Sequence, residues 1–595
     1  MSPAAAPSRR TVLKTAAAVG ATAVAAAVPV RAFDAAAAAA PAADGVFGYG
    51  VASGDPTADS VVIWTRATPS ADATPGSGRG TPLSVRWQVA TDPGFATVVR
   101  SGAVTTSPAS DHTVKVDVTG LAVYTRYWYR FTAKGRTSPV GATRTAPDDR
   151  KVTHALRFAL VSCSNYTGGW FGPYRALAAR TDLDFVLHVG DYLYEYGDGS
   201  DRYGPPELAG VRDNQPTTET VDLRGYRLRH ALHKADPDLA ACHAAQPFIT
   251  IFDDHEVANN TWAWGAENHT PATEGSFAAR RAQAYQAYME WMPFRLPDQA
   301  VAHRGTRFFK RFTFGRLADL SVLETRQNRS KQVDLAPYSS NGGGFIPVGD
   351  PATDAALADP ARHLPEPAQL QWIKDGVTAG RTWHLLGNQV IMTPLRFPGE
   401  LLGAPAGSSL LNSDQWDGYQ ADQRELTGHM ASRGSRNGDC VVLTGDIHSS
   451  WAMDVTTDAA DPAAPSAGVE FVCPSVTSDG FYEIFRNRVP AGTPAEAVVG
   501  LITSAAAGIK AKNPWVRYVD GVGHGFTLVD VTPSRVQADW YLTPTPTSAQ
   551  PDPRVVRSVV PAYATSWQSL TGTRRVTPAA TPLGARSDEP AGPAA

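Results

Sequence analysis

Hydrophobic and polar positions change rhythm along this chain, and the change divides it. From residue 45 to 147 the apolar runs are short. Val61-Val62-Ile63-Trp64-Thr65-Arg66, residues 83–89 and residues 112–118 have strand length, the last two alternate, and Gly, Pro, Asp and Ser clusters separate them. From about residue 155 the rhythm becomes strand, helix, strand. Residues 156–163 read as a strand, 173–180 as a short helix with Tyr174, Leu177 and Ala178 on one face, and 184–189 as the next strand. That alternation predicts a βαβ unit and a layered α/β domain. A helix over 226–245, a strand over 247–252 and a helix over 277–291 ended by Pro293 follow. Further strands are predicted at 308–314, 320–324, 383–389, 440–444 and 469–472, with a closing hairpin at 525–531 and 536–542. Residues 198–220, 330–365 and 395–420 read as loops that could shape a substrate pocket, and no internal repeat is present. Residues 543–595 are rich in Pro, Ala, Thr and Ser and are expected to form an extended or mobile tail.

Within the first segment, residues 121–131 have the look of a corner followed by an alternating aromatic strand. This resembles a fibronectin-III or Ig-like β-sandwich, in which a tyrosine ties the corner to the backbone. The segment carries no cluster of metal-type ligands, so it is expected to be structural. The expected divisions are an export signal at 1–43, a β-sandwich at 45–147, a catalytic domain at 155–542 and the tail, with Ala146-Pro147-Asp148-Asp149-Arg150 as linker.

Composition adds limits. A chain of 595 residues needs two or three domains, and 43% hydrophobic content supports a large core. Lys and Arg number 54 against 57 Asp and Glu, a net charge of -3, which argues against a nucleic-acid or membrane-surface partner recognised by bulk charge. Ser8-Arg9-Arg10-Thr11-Val12-Leu13-Lys14 precedes an Ala/Val run to about Val30, the pattern of a twin-arginine export signal, with valine where phenylalanine is usual. Cleavage is expected within 32–43. The run is too alanine-rich for a good anchor, and no later stretch is apolar enough to span a bilayer, so a secreted monomer exported by the twin-arginine machinery is expected. Four cysteines exclude a disulfide-built scaffold; Cys440 and Cys473 could pair or remain two buried thiols.

Four predicted strand ends carry matching chemistry. They are Ser162-Cys163-Ser164-Asn165, Gly190-Asp191 with Tyr194, Asp253-Asp254-His255-Glu256, and Thr444-Gly445-Asp446-Ile447-His448. In an α/β sheet, functional groups gather past the carboxyl ends of strands. Converging there, Asp191, Asp254, Asp446, Tyr194, Cys163, His255 and His448 would bring too many anionic groups into one crevice without cations. Phenolate and thiolate on one centre favour iron(III), and carboxylate-rich positions favour calcium, magnesium or manganese. A bridging carboxylate, Asp191, fits two or more ions a few ångströms apart, a layout suited to in-line displacement at phosphorus.

Read together, Ala52-Ser53-Gly54-Asp55-Pro56, Ser162-Cys163-Ser164-Asn165, Gly190-Asp191-Tyr192-Leu193-Tyr194-Glu195-Tyr196, Asp253-Asp254-His255-Glu256, Glu290-Trp291-Met292-Pro293, Thr325-Arg326-Gln327 and Leu443-Thr444-Gly445-Asp446-Ile447-His448-Ser449-Ser450-Trp451 make the chain similar to the PhoD-like alkaline phosphatases. These form a branch of the calcineurin-like metallophosphoesterases, close to secreted actinobacterial phospholipases D of the same fold. The resemblance implies a β-sandwich before a four-layer α/β/β/α domain, Fe3+ and Ca2+ in the site (Mn2+, Mg2+ or Zn2+ instead), and hydrolysis of phosphate mono- and diesters by a metal-activated hydroxide. It implies that Cys163, Asp191, Tyr194 and His448 bind the iron, that Asp191 bridges, and that Asp446 takes the second metal. Asp254 stands where the superfamily has the asparagine of Gly-Asn-His-Glu, and Asn388 loosely fits a further ligand position.

His255 is read as acting at the leaving group, beside Asp191 in the catalytic step. Asn165 and Arg326 are read as substrate-binding, although Arg326 could as easily make structural salt bridges. Asp253 and Glu256 are expected to support the site, His188, His243 and His384 to pack in the core, and Trp262 and Trp264 to line a pocket or simply pack. The alternatives are a phospholipase D preferring phospholipid diesters and, from another class, a non-catalytic surface binding protein.

Overall fold

The computed structural model of the protein describes residues 45–149, 155–295, 307–333, 344–377, 380–405, 407–432 and 438–586. The export signal expected over 1–43 lies outside the described residues. Apolar runs become parallel strands: β1 (Leu156–Val161) pairs with β2 (Phe185–His188), and β2 with β3 (Pro247–Thr250). All three are buried along their whole length, as parallel strands covered on both faces must be. Helix α1 (Gly172–Ala178) joins β1 to β2, and α2 (Leu223–Ala235) with α3 (Pro237–Ala245) joins β2 to β3. The single helix expected over 226–245 is therefore two. Pro237 lacks the N–H that a continuous helix needs, and Asp236 turns extended and caps α3 by accepting from the Asp238 and Leu239 amides at 3.0 and 3.1 Å.

The sheet containing β1–β3 has ten strands. Beyond β1 lie the predicted hairpin, Gly525–Val531 with Arg535–Leu542, and then Ala562–Leu570 and Thr577–Pro578. Of the extended or mobile tail expected after 543, the described part includes an extended strand, and it is packed where little packing was expected. Ala562–Leu570 pairs along the whole of Arg535–Leu542, and its backbone hydrogen bonds supply the order that composition did not signal. Beyond β3 the sheet continues into N-terminal strands, Val51–Gly54, Val61–Arg66 and Thr113–Val118. Gly54 permits this join: a Cβ there would collide with the carbonyl oxygens of Pro293 and Phe248. Those strands also face the N-terminal five-stranded sheet, packing Val51, Val61, Ile63, Val114 and Val118 against Val85, Val89, Tyr129 and Phe131. At the corner, the Tyr127 hydroxyl accepts from the Ala122 amide at 2.8 Å.

A second, seven-stranded sheet contains β4 (Trp383–Gly387) and β5 (Asp439–Thr444), paired in parallel. It packs on the first: Phe185 of β2 stacks on Phe158 at 4.8 Å and on Phe314 of the second sheet at 5.1 Å. Helix α4 (Phe277–Trp291) packs on α2, and α5 (Gln420–Ser432) covers Ser466–Val472. The regions read as loops at 330–365 and 395–420 hold a helix, Pro351–Ala358, and a small sheet of Phe345–Pro347, Phe397–Pro398 and Ser409–Asn412. The 18-residue helix Ala495–Lys512 was not anticipated. Among the described residues no helix is long and apolar enough to cross a membrane. All four cysteines are free and buried, so Cys440 and Cys473 are two thiols.

Asp184, just before β2, ties three parts of the chain. It accepts from the Arg157 amide at 2.9 Å, from Arg144 Nη1 at 3.1 Å and from Arg586 Nη1 at 2.7 Å. Asp184→Ala takes a shared anion away from the buried guanidinium groups of Arg144 and Arg586. It is expected to destabilise the fold by about 3–5 kcal/mol, read as a lower denaturant midpoint at unchanged slope; a midpoint within error of the parent would refute the tie.

Candidate metal centre

β1, β2, β3 and β5 end at one place, and each releases its chemistry there. Cys163 follows β1, Asp191 and Tyr194 follow β2, Asp253, Asp254 and His255 follow β3, and Asp446 and His448 follow β5. Four of these donors sit at left-handed backbone angles: Cys163 at φ 60, Asp191 at 54, Asp446 at 62 and His448 at 55. For non-glycine residues this costs about 1–2 kcal/mol each, so the surroundings must enforce it. Gly190, at φ 113, makes the turn before Asp191 and lets the Asp253 backbone approach where a Cβ would clash. Glu256 locks the two strand ends together, accepting from the amides of Asp191 at 3.2 Å, Tyr192 at 2.7 Å and Asp253 at 2.8 Å.

Potential ligand atoms form three groups, in each of which they lie within 4.8 Å of one another: Cys163, Asp191 and His448; Asp191, Asp254 and His255; and Asp253, Asp254 and Asp446. Asp191 belongs to the first two groups and Asp254 to the last two. Tyr194 joins the first, its hydroxyl 2.8 Å from Asp191 Oδ2 and 3.2 Å from His448 Nε2. Two atoms bound to one ion at about 2.0–2.3 Å stand roughly 3–4 Å apart, so this spacing accepts a cation.

The electrostatics ask for one. Burial pushes the Asp191 carboxyl well above its usual range, and Asp254, Glu256 and Asp446 push the same way. Burial also raises the Cys163 thiol, with Asp191 adding to it, and raises the Tyr194 phenol, with Asp191 and Cys163 adding. Neither oxygen of Asp253 receives a hydrogen bond, and burial raises its carboxyl despite Arg326. Cations would let these donors ionise.

One cation is built in. Arg326, 1% exposed, lies 2.8 Å from Asp253, 2.9 Å from Asp254, 2.7 Å from Asp414 and 3.3 Å from Asp446. Although burial opposes it, Arg326 holds Asp254 well below the usual carboxylate range. This corrects the substrate-binding assignment of Arg326: its guanidinium is committed to protein carboxylates. Asn165 is likewise engaged in the scaffold, accepting from the Thr167 amide at 3.2 Å and hydroxyl at 2.9 Å and donating to Tyr203 O at 2.6 Å. Asn388, read as a metal ligand, instead accepts from Trp416 Nε1 at 3.2 Å and donates to Thr444 Oγ1 at 3.2 Å and to the Val390 carbonyl. Both ends of its amide are used inside the protein.

Some partners escaped the sequence. Glu195 Oε2 meets His255 Nδ1 at 2.6 Å; although burial opposes it, His255 holds that carboxyl below its usual value. Its offset of four from Asp191 was visible in the motif but carried no assigned role. Asp414 and Gln415, the latter donating to Asp446 at 2.6 Å, come from a loop with no signal. His188, His243 and His384 are buried and hydrogen-bonded to Tyr174, Tyr192 and Asp319. Trp264 stands 60% exposed, while Trp262 lies against Gly265.

The comparisons with known proteins give the family. The chain matches the PhoD-like phosphatase family over residues 158–540 and the N-terminal domain of PhoD-like phosphatases over 34–147. It is 34% identical over 511 residues to alkaline phosphatase D of Bacillus subtilis (strain 168), covering 84% of this chain and 78% of that protein. A solved structure of PhoD superposes with a TM-score of 0.75 at 30% identity, covering 91% of this chain and 93% of the other. The chain belongs to the PhoD-like phosphatase family, and it is a phosphoric ester hydrolase of the α/β class.

Proposed function

We propose that the protein is a secreted, metal-dependent alkaline phosphatase and phosphodiesterase that cleaves small phosphate mono- and diesters. The observation that carries this reading is the sharing of Asp191 and Asp254 between adjacent donor groups, which suits neighbouring ions. In this reading the two large sheets with their outer helices form four α/β/β/α layers, and the N-terminal sheets form a sandwich whose one face is shared with the catalytic sheet. Export by the twin-arginine route rests on the N-terminal sequence.

Cys163, Asp191, Tyr194 and His448 would hold one ion, a set suited to iron(III). Asp254, which is grouped with Asp191 on one side and with Asp446 on the other, would hold with them a harder ion such as calcium, with manganese, magnesium or zinc as substitutes. Bound cations supply the positive charge that draws the phosphoryl oxygens in and favours loss of a proton from the attacking water. Arg326 holds Asp254 in its charged form and pairs with Asp253 and Asp446 as well, so it helps to keep the three carboxyl groups in place. Glu195 fixes the His255 ring through Nδ1, so proton delivery to the leaving oxygen falls to Nε2.

Asp191→Ala is expected to lower kcat/KM by on the order of 100-fold or more together with metal per chain, followed by elemental analysis; unchanged activity and metal content would place the centre elsewhere. His255→Ala is expected to slow alkyl phosphate hydrolysis by about 10²–10⁴-fold and p-nitrophenyl phosphate much less, because nitrophenolate leaves without a proton. Glu195→Gln should move in the same direction by a smaller factor, and equal losses on both substrates would count against a leaving-group role. Side-by-side assay of p-nitrophenyl phosphate, its bis-ester and phosphatidylcholine is expected to favour the first two, while a preference for phosphatidylcholine would mark a phospholipase D.

A further inference from the structure

The segment after the family-matched residues 158–540 does more than extend a sheet. Arg554, buried at 4% exposure, places Nη1 2.8 Å from the Thr477 carbonyl and 2.8 Å from Asp479 Oδ1. Its other nitrogens are held by Asp552, Nη2 at 2.7 Å and Nε at 3.0 Å, and Nη2 lies 3.6 Å from Glu483. Its carbonyl accepts from the Trp170 amide at 2.9 Å, anchoring the segment beside the loop that follows Cys163.

The loop that Arg554 grips, residues 475–479, touches three of the donors assigned to the first ion. Asp479 O accepts from His448 Nδ1 at 2.7 Å. A carbonyl can only accept, so the proton sits on Nδ1 and leaves the Nε2 lone pair on the side facing Tyr194. Ser478 Oγ lies 2.6 Å from the Tyr194 hydroxyl and 2.9 Å from the Cys163 carbonyl, with one proton to give to either. The Thr477 and Ser478 amides also donate to the Cys163 carbonyl, each at 3.3 Å. The far end of the loop is fixed by His524, which meets Ser475 Oγ at 2.9 Å and Glu483 at 3.1 Å.

We propose that Arg554 is a positioning residue for the metal centre, acting through Thr477 and Asp479 to fix His448, Tyr194 and Cys163. This rests on the assignment of those three as metal ligands. Arg554 fits the task because a planar guanidinium can bridge a carbonyl and two carboxylates at once, which an ammonium cannot do in fixed geometry. The left-handed angles of Cys163 and His448 need such outside support, and much of it comes from the loop that Arg554 holds.

The test compares the parent protein with Arg554→Met, Arg554→Lys and Asp479→Asn. Asp479→Asn removes the ionic grip but keeps the carbonyl that receives His448. Iron and calcium per chain are followed by elemental analysis during dialysis against EDTA, with steady-state kinetics on p-nitrophenyl phosphate. Arg554→Met and Asp479→Asn are expected to lose metal faster and to lower kcat/KM by about 10–100-fold, with Arg554→Lys partly rescued. The double variant is expected to lose no more than the worse single one. Folded variants that keep metal and turnover like the parent would overturn the proposal, even if their melting temperature falls. A parent protein that binds no metal at all would instead overturn the assignment of the ligands.

Discussion

Negative charge held out of water is the constraint on which this structure turns. Asp191, Asp253, Asp254, Asp414 and Asp446 crowd one buried volume, joined by the thiol of Cys163 and the phenol of Tyr194. Left alone, such a set would take up protons or push the strands apart. Arg326 answers part of the problem by pairing with four of the carboxylates, but it does not reach Asp191, whose nearest charged groups are acids. A single guanidinium offsets part of the charge of four carboxyl groups, and the remainder is what bound cations would offset.

That crowding calls for many fixed contacts around the donors. Glu256 spends its carboxylate on three backbone amides, Gly190 admits the Asp253 backbone where no side chain could fit, and four donors are held at left-handed angles. Each feature removes freedom that metal binding or catalysis would otherwise have to remove. The Glu195–His255 pair applies the same logic to proton transfer, since a ring held by one nitrogen presents the other in a single orientation.

The fold serves the site by bringing remote segments together. The catalytic sheet runs unbroken from N-terminal strands through β1–β3 to C-terminal strands, and Asp184 receives Arg144, Arg157 and Arg586 from three regions of sequence. The N-terminal strands are therefore part of the same hydrogen-bonded layer as the metal centre. The C-terminal segment meets that site at one remove, through Arg554 and the loop before Gly480.

The primary structure by itself determined the strands and what they emit. Period-two and continuous apolar runs announced β1, β2, β3 and β5, and the residues just past them marked Cys163, Asp191, Tyr194, Asp254, His255, Asp446 and His448 as candidates, because four strand ends carried matching donors where any one alone could have been a plain turn. What only the tertiary structure decided is which polar groups answer those donors. Arg326 and Asn388 look equally available along the chain, yet one is drawn among four carboxylates and the other is consumed by Trp416 and Thr444. Composition made the C-terminal segment look unpacked, whereas pairing with Arg535–Leu542 and the burial of Arg554 depend on partners many residues away. Periodicity reports on a segment's own faces; charge compensation and strand pairing are pairwise properties, fixed only when distant residues meet.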